Sequence, residues 1–306
     1  MTRTELLNAT RKVMTPPRDD GAAAFFEVPS RTLGATGVEV SSIGLAVEGL
    51  AQRASWDDSV RLIRRALDSG MTFLLGDPEE PACVGRLSAA LRDGYRGKAF
   101  LAATLGPAGG APLGRRIDQA LSALGVEHLD LLELDCARPE EAEWLALQAA
   151  RQAGKVSHFG LTLRDAPEGM FVSLAAEHGR EFSLTLDAAR LSVDLLEPGR
   201  DALERQALPL LLSERIAVLG RMPMESSSVT FSERLCYALT LPTSTVLLDL
   251  TTEAQLQHAL RTARSFKPYA ESAIGALLAR AATAARTQGP RGGVFHPEPS
   301  SPGWHG

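Results

Sequence analysis

Eight short apolar runs, set at a nearly even spacing, constrain this chain more than any other feature. They lie at Ile43–Val47, Thr72–Leu75, Phe100–Thr104, Leu129–Leu134, Val156–Leu161, Leu184–Ala188, Ile216–Leu219 and Thr245–Leu248. They recur roughly every 28 residues, and helical patterns fill most of the gaps. Most are continuous rather than alternating, as in strands buried on both faces. Buried strands separated by helices form a parallel sheet covered by helices. Eight such units in about 230 residues predict a closed (β/α)8 TIM barrel over an open doubly wound sheet. No Gly-x-Gly-x-x-Gly follows any run, which argues against a Rossmann domain.

The helix signals agree. Ser55 is placed to N-cap the first helix, with Asp57 and Asp58 in its opening turn, where the dipole favours anions. Val60, Leu62, Ile63, Ala66 and Leu67 give that helix a buried face, and Gly70 ends it. Glu253 to Arg264 reads as the eighth helix, and an alanine-rich helix follows Pro268, from near Tyr269 to about Arg286. Residues 1–30 read as an N-terminal extension, with a short helix from Thr4 to Met14 halted by Pro16-Pro17. Residues 31–286 form the barrel and its C-terminal helix. Residues 287–306 are too rich in Gly, Pro and Ser to order themselves and read as a flexible tail.

Composition narrows the setting. The 306 residues are 44% apolar and 23% charged, with a net charge of -5, which gives no reason to expect nucleic acid. The pairs Arg64-Arg65 and Arg115-Arg116 read as solvated helix faces. The three cysteines are far apart, and no Cys-x-x-Cys or His-x-x-x-His occurs, so no metal is expected. A reduced, cytoplasmic setting is the default. Nothing approaches the roughly 20 apolar residues of a membrane span, so no membrane is expected.

Several segments resemble the aldo-keto reductase family, in the family's order. RTLGATGVEVSSIGLAVEGL from Arg31 is similar to its opening, a β-hairpin below the barrel and then the first strand. DDSVRLIRRALDSGMTFLL resembles its first helix and second strand. DQALSALGVEHLDLLELD resembles the helix and fourth strand that end in its catalytic histidine. AGKVSHFGLTLRD is similar to GKVRxIGVSN, and IAVLGRMPM to the seventh strand. The likeness spans about Arg31 to Arg264.

The resemblance implies carbonyl reduction by NADPH, with a tyrosine as proton donor, a lysine that lowers its pKa, an aspartate that holds the lysine, and a histidine that orients the carbonyl. Residue by residue, however, the four positions fall on Leu75 (aspartate), Glu80 (tyrosine), Leu105 (lysine) and Asp135 (histidine). The cofactor-binding positions fall on Leu163, Asp187, Arg190, Asp249 and Ala259, with the ribose-phosphate position at Thr251 or Thr252. Leucines shift no proton donor's pKa, and a carboxylate at Asp135 would oppose the oxyanion of ketone reduction.

The sequence therefore points to an aldo-keto-reductase-like protein without redox chemistry and with no cofactor, acting on a ligand or a protein partner. One alternative is an NADP(H)-dependent reductase with relocated catalytic residues. Another is a different enzyme using acidic residues at the barrel mouth. Strand C-termini form the working face of such a barrel. The expected pocket comprises Asp77, Glu79, Glu133, Asp135, Thr162, Arg190, Asp194, Arg221 and Asp249. Glu133 and Asp135 share one face of the fourth strand, and Arg190 and Arg221 are candidate internal cations for them. The pocket is then either a buried ion-pair network or an open acidic mouth for a small cationic ligand.

Overall fold

The computed structural model describes residue 5 and residues 28–106, 110–136, 139–163, 171–196, 200–223 and 229–288. A two-stranded antiparallel hairpin, β1 (Ser30–Thr32) and β2 (Glu39–Ser41), precedes eight parallel strands. These are β3 (Ile43–Ala46), β4 (Phe73–Gly76), β5 (Phe100–Leu105), β6 (Leu129–Leu134), β7 (Val156–Thr162), β8 (Ala188–Ser192), β9 (Ala217–Met222) and β10 (Thr245–Leu248). They pair in chain order, and β10 returns to β3 to close the ring. The hairpin and the eight-stranded barrel are as the sequence predicts.

Alternation along each strand builds two cores. The inner one fills the barrel with Phe73, Leu75, Ala102, Leu131, Ala188, Ala217, Leu219 and Leu247, joined by Leu33 and Val40 from the hairpin. The outer one lies between sheet and helices and includes Leu45, Leu74, Leu105, Leu132, Leu161 and Leu248. The hairpin is held against the N-terminal ends of the strands. Ser41 Oγ accepts from the amides of Thr72 and Phe73. A Cβ at Gly34 would stand 2.7 Å from the Ala217 amide and 2.8 Å from the Arg215 carbonyl, so only glycine lets the turn approach. Arg31, fully buried, donates to the Thr243 carbonyl and hydroxyl (2.7 and 2.9 Å) and to the Leu239 carbonyl (2.6 Å).

Several boundaries differ from the sequence reading. The first strand stops at Ala46, because Val47 opens a short helix, Val47–Arg53, that buries Val47, Leu50 and Ala51. The sixth strand is Ala188–Ser192 rather than Leu184–Ala188. Leu184 and Leu186 pack in the outer core instead, while Arg190 and Ser192 carry the strand inward and hide it from a hydropathy reading. The seventh strand runs to Met222. Val28, ahead of residue 31, is buried against the outer core. The last helix is Glu271–Gln288, so residues 287 and 288 belong to it rather than to a tail. The expected helix from Thr4 to Met14, Glu5 apart, and the segment 289–306 lie outside the described residues. Ser55 caps its helix as expected, accepting from the Asp58 amide. No described helix is long and apolar enough to cross a membrane.

The arginine pairs are not simply solvated faces. Arg116 is buried, and Arg64 is largely covered, donating to the carbonyls of Ala89 and Ala90 and lying over the Tyr95 ring.

Candidate functional site

The C-terminal ends of the strands carry polar side chains above the apolar inner core. Thr104 and Glu133 are ladder partners on β5 and β6, and Thr162 and Arg190 are partners on β7 and β8. All four meet inside the ring. Arg190 Nε donates to Glu133 Oε2 at 2.6 Å. Its Nη2 donates to Thr104 Oγ1 (3.1 Å) and Thr162 Oγ1 (2.9 Å). Both hydroxyls in turn donate to Glu133 Oε2, at 3.3 and 3.2 Å. The Glu133 side chain is fully buried and that of Arg190 is 6% exposed. Burial alone would lower the arginine's pKa. Glu133, with Glu48 and Asp135 further off, more than offsets it and holds the guanidinium above its ordinary value. A Cβ at Gly160 would press on the Ala188 carbonyl (3.2 Å) and on Glu133 Cγ (3.3 Å), so glycine there leaves the glutamate side chain room.

A second, looser cluster stands nearer solvent. Arg221 Nη2 lies 3.5 Å from the Asp249 carboxylate and 3.7 Å from Glu48. Burial pushes the Glu48 carboxyl above its usual range. Arg190 and Arg221 oppose that shift, and Asp249 and Asp77 add to it.

Of the expected pocket, Glu133, Thr162 and Arg190 bond directly, while Asp135 and Asp77 come within electrostatic range of Arg190 and Glu48 respectively. Two members are elsewhere. Asp194 forms a buried two-pronged pair with Arg234 (2.9 and 2.6 Å), which also donates to the Pro223 carbonyl. Glu79 receives Arg116 Nε and Nη2, both at 2.7 Å, and Arg116 also donates to the Gly106 carbonyl. The sequence reading omitted Thr104 and Glu48. Strict alternation from Ala102 would have turned Thr104 inward, and Glu48 follows the first strand as Asp249 follows the last.

The positions carried over from the resemblance are also placed. Leu75 faces into the barrel. Leu105 faces the outer core, so Thr104 is the inward residue at the end of that strand. Glu80 N-caps the helix Pro81–Leu91, accepting from the Ala82 and Cys83 amides. Leu163 and Ala259 are buried in the outer core. Asp187 sits at the opposite, hairpin end, where it accepts from the Phe159 amide and lies 3.5 Å from His158 Nδ1. The chain's three tyrosines are used elsewhere. Tyr95 donates to Asp68, Tyr237 donates to Glu204, and Tyr269 packs beside Cys236.

At the helix Glu253–Arg264, the first amides are internally capped. Thr251 N and Thr252 N donate to Gln255 Oε1, and Gln255 N donates to Thr252 Oγ1. Three of the amides at this helix start, those of Thr251, Thr252 and Gln255, are therefore taken up by the cap. Beside this cap runs a groove lined in part by Arg53, Arg61, Arg65 and Asp58. Arg61 pairs with Asp58, and Arg65 with Glu253. Among the described residues, no group of three His, Cys, Asp or Glu side chains is arranged to hold a metal ion.

The Glu79–Arg116 pair gives a pH prediction. Hydrogen bonds from Arg116 hold the Glu79 carboxyl below its ordinary value. A lowered folded pKa stabilises above the ordinary glutamate pKa, and that stability is lost as pH falls through the folded value. Glu79 is 43% exposed, which limits the contribution to about 1 kcal/mol or less. Thermal melts between about pH 7 and pH 3.5 should show a smaller acid-induced loss in Glu79→Gln than in the wild type.

Compared with solved structures, the chain has the aldo-keto-reductase fold. It is similar to an aldo-keto reductase from Bacillus halodurans in its holo form, with a TM-score of 0.64 and 14% identity over 82% of this chain and 95% of that one. It is also similar to a thermostable aldo-keto reductase in complex with the inhibitor epalrestat, with a TM-score of 0.67 and 15% identity over 82% of this chain and 99% of that one. No protein-family model matches the chain, and no curated protein is similar in sequence. Identity this low carries the architecture and nothing finer about chemistry.

Proposed function

We propose that the protein is a non-redox barrel of the aldo-keto-reductase fold that acts by binding a ligand or protein partner at its C-terminal mouth. The observation that carries this is the network of Glu133, Arg190, Thr104 and Thr162. It fills the inward ends of β5 to β8, beside Leu105 and Asp135, where the resemblance expects a lysine and a histidine, and at Arg190, where it expects a cofactor-binding residue. Both threonine hydroxyls are committed to Glu133 and Arg190, so neither is poised as a proton donor. A buried carboxylate there works against an oxyanion rather than for one.

The residues do not fit NADP(H). Asp249 stands where a glycine would approach the pyrophosphate, and the capping box uses the adjacent amides. The arginine-lined groove beside that cap is what favours the alternative, a reductase with relocated residues, since it could take a phosphate. Glu48 favours the other alternative. A carboxyl held above its usual range is suited to general acid catalysis.

Titration with NADPH and NADH decides between binding protein and reductase. The expected result is no saturable response at micromolar concentration, followed by tryptophan fluorescence. Trp56 is exposed and Trp144 buried, so surface and core are both reported. A dissociation constant below about 10 µM, the usual scale of specific binding, would overturn the proposal.

A further inference from the structure

On the outside of the barrel, the helices Phe231–Thr240 and Glu253–Arg264 are neighbours, and a serine, a histidine and a threonine meet between them. Ser232 Oγ lies 2.7 Å from His258 Nε2. Thr262 Oγ1 stands 3.0 Å from the same serine oxygen and donates to the His258 carbonyl, also at 3.0 Å. The serine's single proton therefore has two acceptors, Nε2 and Thr262 Oγ1. Nε2 is nearer and more basic and takes it, which leaves the ring proton on Nδ1. Phe231 meets the His258 ring edge-on, with centroids 5.2 Å apart, and so restrains its plane. A serine whose proton is directed at an imidazole nitrogen, with the ring held in place, is a nucleophile–base pair.

The start of the helix adds donors. Ser232 lies in the first turn after the Thr230 cap. Thr230 Oγ1 takes the Glu233 amide, and the Thr230 carbonyl takes the Arg234 amide. The amides of Phe231 and Ser232 precede the first helical bond and have no acceptor among the described residues. A nucleophile's own amide serves as an oxyanion donor in acyl transfer. Glu233, beside the serine, is bound by Arg280 (2.7 Å) and by the Thr230 amide (3.0 Å), which offsets its charge there. His258 is exposed and Ser232 half-buried, so an acyl donor can reach the pair. No carboxylate among the described residues is bonded to His258, so the pair suits esters with good leaving groups rather than amides. Going beyond the binding function at the mouth, we propose that Ser232 is an acyl acceptor activated by His258, with activated carboxylic esters as its substrate class. In the reaction, Oγ bonds to the acyl carbon as its proton passes to Nε2. The bond from that carbon to the leaving oxygen breaks, the proton goes to the leaving oxygen, and the acyl group stays on Ser232 as an ester. Water then attacks this ester, His258 takes the water's proton, and the carboxylic acid leaves as Oγ recovers a proton.

The full chain is incubated with 4-nitrophenyl acetate and, separately, with an alkyl fluorophosphonate, which traps an activated serine by forming an Oγ–P bond as fluoride leaves. Peptide mass spectrometry gives the labelling rate at each serine. The expected result is modification of Ser232 about a hundredfold faster than of Ser213 or Ser265, whose hydroxyls donate only to backbone carbonyls. Ser232→Ala should abolish that label, and His258→Gln should slow it about a hundredfold, the lower end of what a positioned base contributes. Thermal melts check that both variants fold. If either does not, the ratio of Ser232 to Ser213 and Ser265 in the wild type still decides. A pair that only joins two helices predicts an unlabelled Ser232 and a lowered melting temperature in Ser232→Ala, and that outcome overturns the assignment. So does labelling no faster than at Ser213, or an undiminished rate in folded His258→Gln. The reagents contain no nicotinamide, so this result and the NADPH titration succeed or fail independently.

Discussion

Replacing Glu133 by alanine should lower the unfolding free energy by about 3–5 kcal/mol, because it leaves Arg190 buried without its counter-ion. Arg190→Met should cost a similar amount, by stranding the carboxylate. Both side chains are at least nine-tenths buried, and the bond between them is 2.6 Å, so solvent screening does little to reduce the effect. The double variant Glu133→Leu with Arg190→Met should lose far less than the sum. An apolar pair removes both desolvation costs, and the coupling should reach about 2 kcal/mol or more, as for directly bonded residues. Urea unfolding of the four proteins measures this. Single variants within about 1 kcal/mol of the wild type would mean that water reaches the pair and that the network is no fixed part of the barrel.

Arg31→Ala should be comparably damaging, at about 3 kcal/mol, although two effects oppose each other there. Burial lowers the pKa of Arg31 to about 10, so its charge is costly in the folded state and its loss brings some relief. Against that stand the carbonyls of Thr243 and Leu239. Each would lose its donor in a buried setting, at about 1–3 kcal/mol apiece. The vacated volume adds a cavity term, and the guanidinium's contact with the Phe266 ring is lost as well. The acceptors and the cavity outweigh the relief. Arg31→Lys keeps the charge but cannot reach both carbonyls, and should fall between. Chemical denaturation midpoints check the order, and an unchanged midpoint in Arg31→Ala would show that desolvation had won.

The barrel was legible because its strands are buried on both faces and leave an unbroken apolar trace. Where a strand faces polar side chains inward, that trace fails. Ala188–Ser192 was displaced by four residues because Arg190 and Ser192 interrupt the run, while Leu184 and Leu186 supply a decoy that packs outside. The site was legible in part. Alternation turned Glu133 inward, and strand order offered both Arg190 and Arg221 as its cation without choosing between them. Arg116 was misread because a helix arginine looks solvated until the loop after β4 brings Glu79 over it. Asp194 was assigned to the mouth by its place after a strand, but its partner Arg234 lies on a later helix, and no local pattern announces that pairing. Thr104 was overlooked when Leu105 was matched by counting along a motif rather than by following the pleat.

The clamp between the hairpin and the segment before β10 has a consequence for the order of assembly. Arg31 bonds to residues 208 and 212 positions further along, and Ser244 Oγ donates to the Thr32 carbonyl across a similar separation. β3 meets its second neighbour only when β10 is present. During synthesis, every strand from β3 to β9 emerges before the ring can close. Until about residue 248 is available, the sheet has two open edges, β3 and β9, and its hairpin lacks its buried anchor. Contacts of such sequence separation are slow to form, and unpaired edges recruit other chains. On this topology the nascent chain should hold both edges open until the last strand is available. A chain stopped before Thr245 should accumulate as aggregate, rather than as a smaller stable barrel.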